Sequence, residues 1–189
     1  MKRVCVFCGS NAGVQPEYRQ ATREFGQVLA KRGLGLVYGG SNVGLMGEVS
    51  KAVLEAGGEV VGVITEAFVR QDLANRSVSD LRIVGSMHER KALMAELADG
   101  FVALPGGLGT LEEMFEILTW AQLGMHTKPA GLLNVCHYYD NLLDFVNHAV
   151  GEQFVKPEHG QMLQVDGDPA VLLAKMDRYE APKVGKLYE

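Results

Sequence analysis

Phe101-Val102-Ala103-Leu104-Pro105-Gly106-Gly107-Leu108-Gly109-Thr110-Leu111-Glu112-Glu113-Met114-Phe115-Glu116 is the stretch that decides the fold. Its first four residues are apolar without alternation, as in a strand buried on both faces. A glycine-rich turn follows, then a helical pattern from Leu111 to Leu123. Strand, glycine turn and helix form the repeating unit of a parallel α/β sheet. The start of a helix exposes unpaired N–H groups at the positive end of the peptide dipole, so this turn suits a phosphate. Gly106, Gly107 and Gly109 let backbone approach a ligand closely, and the Thr110 hydroxyl adds a donor. The turn is not a P-loop, because the lysine is missing. It is not a dinucleotide fingerprint either, because Gly-x-Gly-x-x-Gly is incomplete. Thr110-Leu111-Glu112-Glu113 also fits a capping box, with Thr110 at the N-cap and Glu113 at N3.

Working outward, further apolar runs read as strands at Val4–Cys8, Leu34–Tyr38, Val60–Ile64, Leu81–Val84 and Gly131–Val135. Helical patterns alternate with them. Pro16–Lys31 has proline at its start and Gly33 just past its end. Leu45–Glu55 is stopped by Gly57-Gly58, and Met87–Ala98 follows later. The rhythm predicts a three-layer α/β domain, a mainly parallel sheet with helices on both faces. Three strands end in glycine clusters: Cys8-Gly9-Ser10, Tyr38-Gly39-Gly40-Ser41 and Leu104-Pro105-Gly106-Gly107. Ligands of open parallel sheets bind beyond the carboxyl ends of the strands, so Ser10 and Gly40 join the candidate site. Glu66–Asp80 reads as a long connection, Gln161–Val165 as a short strand and Pro169–Asp177 as a last helix. One domain is expected over residues 1–180, followed by a polar tail at 181–189.

Met87-His88-Glu89-Arg90-Lys91 opens the helix after the fourth strand. Ser86 and Glu89 make a capping box there. Arg90 and Lys91 oppose the dipole of the helix they open, so helix propensity does not account for them. A helix starting beyond that strand lies on the side of the glycine clusters, where Arg90 would face a ligand as a fixed cation. Glu116 and Thr119 lie one and two turns beyond Glu112, and one of them is expected to line the same cleft.

The 189 residues are 47% hydrophobic and 22% charged, which fits one domain with a sizeable core. The formal net charge of −5 argues against nucleic acid as a partner, since a phosphate backbone requires a surplus of Lys and Arg. A single mononucleotide needs only one local anion site. Cys5, Cys8 and Cys136 form no disulfide framework and suit a reducing, cytoplasmic compartment. The apolar run after Met1 ends too soon for a signal peptide, and no stretch is long enough to span a membrane. Cys5 and Cys8 have C-x-x-C spacing, but within a strand they point to opposite faces. The five histidines show no metal-binding spacing, and no metal is expected.

Taken in order, these motifs resemble the Lonely-guy family of cytokinin riboside 5′-monophosphate phosphoribohydrolases, long misnamed possible lysine decarboxylases. Pro105 to Glu113 matches P-G-G-x-G-T-x-x-E, and Met87 to Lys91 matches the second motif. Cys8-Gly9-Ser10, Tyr38-Gly39-Gly40 with Gly44-Leu45-Met46-Gly47, and Thr119 to Gly124 match as well. The resemblance implies a Rossmann-like domain that forms homodimers or larger assemblies. It implies hydrolysis of the N-glycosidic bond of AMP or an N6-modified AMP, without cofactor. It suggests Arg90 and Glu113 as the catalytic pair and Gly107, Gly109 and Thr110 as the phosphate holders. Lys91 and Glu112, with Met87, Gly106, Leu108, Leu111 and Thr119, complete the expected substrate shell. The alternatives are a non-catalytic carrier like the molybdenum-cofactor carriers, a pyridoxal-dependent decarboxylase, and a nicotinamide-dependent oxidoreductase. Nothing marks a Schiff-base lysine, and the incomplete fingerprint speaks against the last.

Overall fold

The computed structural model describes residues 1–78 and 80–183. The expected polar tail is described only to Lys183; the rest of it lies outside the described residues. The strands are β1 (Arg3–Phe7), β2 (Gly35–Tyr38), β3 (Val60–Thr65), β4 (Asp80–Val84), β5 (Gly100–Ala103), β6 (Ala130–Leu133) and β7 (Leu163–Asp166). They form one sheet in the order β4-β3-β2-β1-β5-β6-β7, and every pair in it is parallel. The chain builds outward from β1 to β4, then returns to β5 on the other side of β1. The strand order therefore reverses between β1 and β5, which is where an open α/β sheet leaves a crevice for ligands.

Alternation along β1 divides the core in two. Val4 and Val6 pack against α1 (Pro16–Lys31), α2 (Gly44–Glu55) and α8 (Pro169–Asp177). Cys5 and Phe7 face α4 (Met87–Leu97) and α5 (Leu108–Gln122), with Leu142 and Leu143 of α6 (Asp140–Gly151) at the margin. Both layers bury full-sized side chains such as Phe25, Leu29, Phe101 and Met114. Each contributes about 1.5–3 kcal/mol against leaving it in water. Cys5 and Cys8 thus belong to opposite layers, and all three cysteines are free.

Most expected elements stand within a residue or two of their expected ends. Pro16–Lys31 and Pro169–Asp177 match at both ends. The 66–80 connection contains a short helix, α3 (Glu66–Arg70), and a bridge from Ala74 to Ser41. Helix α6 and the single turn α7 (Pro157–Gly160) were not anticipated. The main correction concerns α5, which begins at Leu108 with Gly107 as its N-cap rather than at Thr110. A Cβ on Gly106 would lie 2.1 Å from the Thr110 hydroxyl oxygen, so that side chain is tucked under the turn, inside the helix. Among the described residues no helix is long and apolar enough to cross a membrane.

Candidate active site

The glycine loops after β1 and β5 meet at the reversal point. The Gly9 N–H donates to the Pro105 carbonyl at 3.0 Å, and a Cβ on Gly9 would lie 3.4 Å from the Gly106 Cα. Between them lies a cavity of about 270 Å³, walled by Ser10, Gly106, Gly107, Tyr18 and Tyr138. Among the described residues a Cβ on Gly107 or Gly109 would meet nothing within 4 Å. No packing against the described residues requires glycine at these two positions. What their lack of side chains does is leave the start of α5 bare toward an incoming group.

Arg90 crosses from α4 to the strand ends and is 6% exposed. Its Nε donates to the Val63 carbonyl at 3.0 Å, and its Nη1 donates to Glu113 Oε1 at 2.8 Å. A Cβ on Gly39 would come within 2.1 Å of Arg90 Nη2. Gly39 is therefore glycine because the guanidinium occupies that space, a role sequence reasoning missed. Burial pushes the Glu113 carboxyl above its ordinary range, and the charge and hydrogen bond of Arg90 pull against that rise. An ion pair withdrawn from water survives only when its partners are well placed, and losing one leaves the other stranded.

One residue along each helix, Lys91 Nζ reaches Glu112 Oε1 at 2.5 Å and Glu116 Oε1 at 3.1 Å. The hydrogen bond that Lys91 donates to Glu112 raises the ammonium's affinity for its proton above the ordinary lysine range. Helix α4 starts as its sequence requires. Ser86 accepts from the Glu89 N–H at 3.2 Å, while Glu89 reaches back to the Gly85 N–H at 2.9 Å.

The other expected residues divide. Ser10, Gly106 and Gly107 wall the cavity, and Thr110 lies beneath the turn. Met87 and Leu108 are exposed, Leu108 almost fully, and Leu111 packs into the second core layer. Gly40 does not join the cavity. It has φ +71, and its carbonyl accepts from the Asn75 N–H, so its glycine serves the turn after β2. Thr119 also points elsewhere. Its hydroxyl donates to the Phe115 carbonyl, and its side chain borders an apolar cleft between α5 and α6. Of the two side chains beyond Glu112, Glu116 is the one that meets Lys91. Arg90 and Glu113 line neither the cavity between the glycine loops nor a larger hollow of about 420 Å³ between α1 and α2; that hollow is not bordered by the start of α5, and its Arg19 and Arg23 are both engaged by Glu48. Among the described residues no three His, Cys, Asp or Glu side chains converge as metal ligands.

A family model described as "Possible lysine decarboxylase" matches residues 46–176. A relative from Oryza sativa subsp. japonica, named probable cytokinin riboside 5′-monophosphate phosphoribohydrolase, is 51% identical and covers 94% of this chain and 78% of its own. The chain belongs to the Lonely-guy family. An Arabidopsis thaliana member, named cytokinin riboside 5′-monophosphate phosphoribohydrolase, is 46% identical over 95% of this chain and 82% of its own. Among solved structures, the molybdenum cofactor binding protein of Rippkaea orientalis superposes with a TM-score of 0.70 at 23% identity, covering 95% of this chain and 99% of that one. At that identity the likeness shows a common Rossmann-like fold and nothing more.

Proposed function

We propose that this protein hydrolyses the N-glycosidic bond of AMP, or of an N6-modified AMP of the cytokinin type, to the free base and ribose 5-phosphate. The observation that carries the reading is the buried Arg90–Glu113 pair beside the bare start of α5. The names of relatives near half identity support it. Departure of the base leaves positive charge on the ribose, as in glycoside hydrolysis. The Glu113 carboxylate stabilises that charge and orients the water whose oxygen bonds to the sugar carbon; the base leaves with a proton. Arg90 keeps Glu113 ionised despite its burial and fixes its direction. Gly107, Gly109 and Thr110 hold the phosphate through their free backbone N–H groups at the start of α5, the Thr110 hydroxyl lying beneath the turn, and the held phosphate positions the reacting bond from a distance. Lys91 and Glu112 form the outer contact shell.

We assign the same reading a homodimer in a reducing, cytoplasmic compartment. The apolar cleft of about 170 Å³ between α5 and α6, lined by Phe115, Leu118, Phe145 and Val146, supports a self-association surface. Light scattering of the purified protein tests the assembly. The activity test is incubation with AMP and with isopentenyladenosine monophosphate, following base and ribose 5-phosphate by chromatography. Release of base by wild type but not by Glu113→Gln is expected. Binding of nucleotide without base release would replace hydrolysis with the carrier reading.

A further inference from the structure

The loop from β6 to α6 is built in an unusual way. Cys136 and His137, two consecutive residues with side chains, have φ of 50° and 59°. A side chain is strained in this left-handed region, and the strain persists only where surrounding structure enforces it. Here the enforcement is visible. Asn134 Oδ1 accepts from the Tyr139 N–H at 2.8 Å, Asn134 Nδ2 donates to Asp140 Oδ1 at 2.7 Å, and His137 Nδ1 lies 3.0 Å from Asp140 Oδ2. The turn delivers two adjacent tyrosines to carbonyls two residues apart on the β5–α5 connection. The Tyr139 hydroxyl donates to the Leu104 carbonyl at 2.6 Å, in the core. The Tyr138 hydroxyl donates to the Gly106 carbonyl at 2.5 Å, at the cavity wall, with its ring edge-on to Tyr18 at 5.6 Å between centroids.

We propose that Tyr138 is a positioning residue whose hydroxyl locks the Gly106–Gly107 peptide in the orientation that receives the substrate phosphate. In a trans peptide the C=O and the following N–H point in opposite directions. Holding the Gly106 carbonyl therefore fixes where the Gly107 N–H points. A peptide between two glycines rotates more easily than any other, because neither flanking residue has a Cβ to bar it. Rotated by half a turn, it would offer a carbonyl oxygen where an anion needs a donor. Tyr138 acts against that rotation, while Tyr139 anchors the base of the same connection in the core. The inference rests on the phosphoribohydrolase reading for the identity of the anion, and its test separates the two.

The test is calorimetric binding of AMP, ribose 5-phosphate and free adenine to wild type and Tyr138→Phe, alongside AMP turnover and melting temperature. Loss of one hydrogen bond of this kind should weaken AMP and ribose 5-phosphate about five- to tenfold, leaving adenine unchanged. KM should rise more than kcat falls. In Tyr139→Phe the melting temperature should drop while ribose 5-phosphate affinity stays. Gly107→Ala supplies a readout that a merely structural role would not move. Gly107 has φ −95 and ψ −155, which alanine tolerates, and a Cβ there meets nothing within 4 Å. A Cβ there resists the rotation but also crowds the approach to α5, so only the ratio is read: whatever Gly107→Ala costs alone, Tyr138→Phe should lower ribose 5-phosphate affinity by a smaller factor in the Gly107→Ala background than in wild type. Unchanged ribose 5-phosphate affinity in Tyr138→Phe overturns the lock, as does an equal cost in both backgrounds. Wild type that binds ribose 5-phosphate but releases no base from AMP overturns hydrolysis, and the binding comparison still judges the lock.

Discussion

Two neighbouring ion-pair groups join α4 to α5, one residue apart on each helix, and they differ in surroundings. Arg90 and Glu113 have side chains only 7% and 12% exposed, and Arg90 is also held by the Val63 carbonyl beneath it. Lys91 is as covered as they are, but its partner Glu112 is 55% exposed and Glu116 26%. The first pair sits against strand ends, where burial raises the carboxyl's affinity for a proton and a fixed cation resists it. The second group stays in reach of solvent, where attraction is weakened by water and salt. The same charges in the same two helices therefore serve different ends. On the proposed reading, chemistry belongs to the group that solvent cannot screen, and the other ties the helices together at the outer edge of the site.

The sharpest way to break this contrast is Glu113→Gln. The amide oxygen still accepts from Arg90, but the buried guanidinium loses its counter-charge, so the melting temperature should fall and turnover is compared on protein shown to be folded by circular dichroism. Base release should fall by about 10²- to 10⁴-fold, the usual range for removing a positioned acid–base group. A variant keeping more than a tenth of wild-type turnover would put the chemistry elsewhere. The second test reaches the pair without touching it. Gly39→Ala places a methyl where Arg90 Nη2 lies and should displace the guanidinium. A shift near 1 Å at a positioning group costs on the order of 10²-fold in rate. Steady-state kinetics with AMP, plus circular dichroism to verify the fold, would measure it.

Acid should divide stability from activity. The Glu113 carboxyl in the fold is raised above its ordinary value of 4.5 by burial, against the pull of Arg90. The folded state then holds that proton more tightly than the unfolded chain does. Its contribution to stability is full below about 4.5 and is lost as pH rises through the folded value. Activity needs the ionised form and runs the opposite way. The acid limb of kcat/KM should therefore lie above the usual carboxylate range, and stability compared at pH 4 and 7 should depend less on pH in Glu113→Gln than in wild type. An acid limb at or below 4.5 would show that burial does not govern this group.

The same contrast marks what the residues disclosed before the fold was known. The strands were legible because parallel strands covered on both faces are uninterrupted apolar runs, as at Phe101–Leu104. The opposition of Arg90 and Lys91 to their own helix dipole also pointed correctly to something beyond helix propensity. The start of α5 was not legible. Thr110 and Glu113 have the spacing of a capping box, and only the packing of Thr110 beneath Gly106 places it inside the helix. Helix α6 has apolar periodicity but buries no residue fully, and its start is set by a left-handed Cys136–His137 turn that no glycine announces. Gly39 reads in the sequence only as part of a strand-end glycine cluster, because sequence shows that a side chain is missing, never what fills the space.

The smallest expected effect completes the comparison. Lys91→Met keeps the aliphatic stem that packs between α4 and α5 and removes the charge. Glu112 gains freedom in solvent, so stability should change by less than about 1 kcal/mol, and that difference should shrink further as salt is added. Turnover should fall less than tenfold if, as proposed, Lys91 stands outside the reacting pair and supplies only local positive charge near the substrate. Measuring kcat and KM for wild type and Lys91→Met at low and at 0.5 M salt gives the discriminating pattern. A modest rise in KM that salt erases marks screened attraction. A loss in kcat as large as that of Glu113→Gln, and insensitive to salt, would merge the two ion-pair groups into one catalytic unit and remove the distinction that burial draws between them.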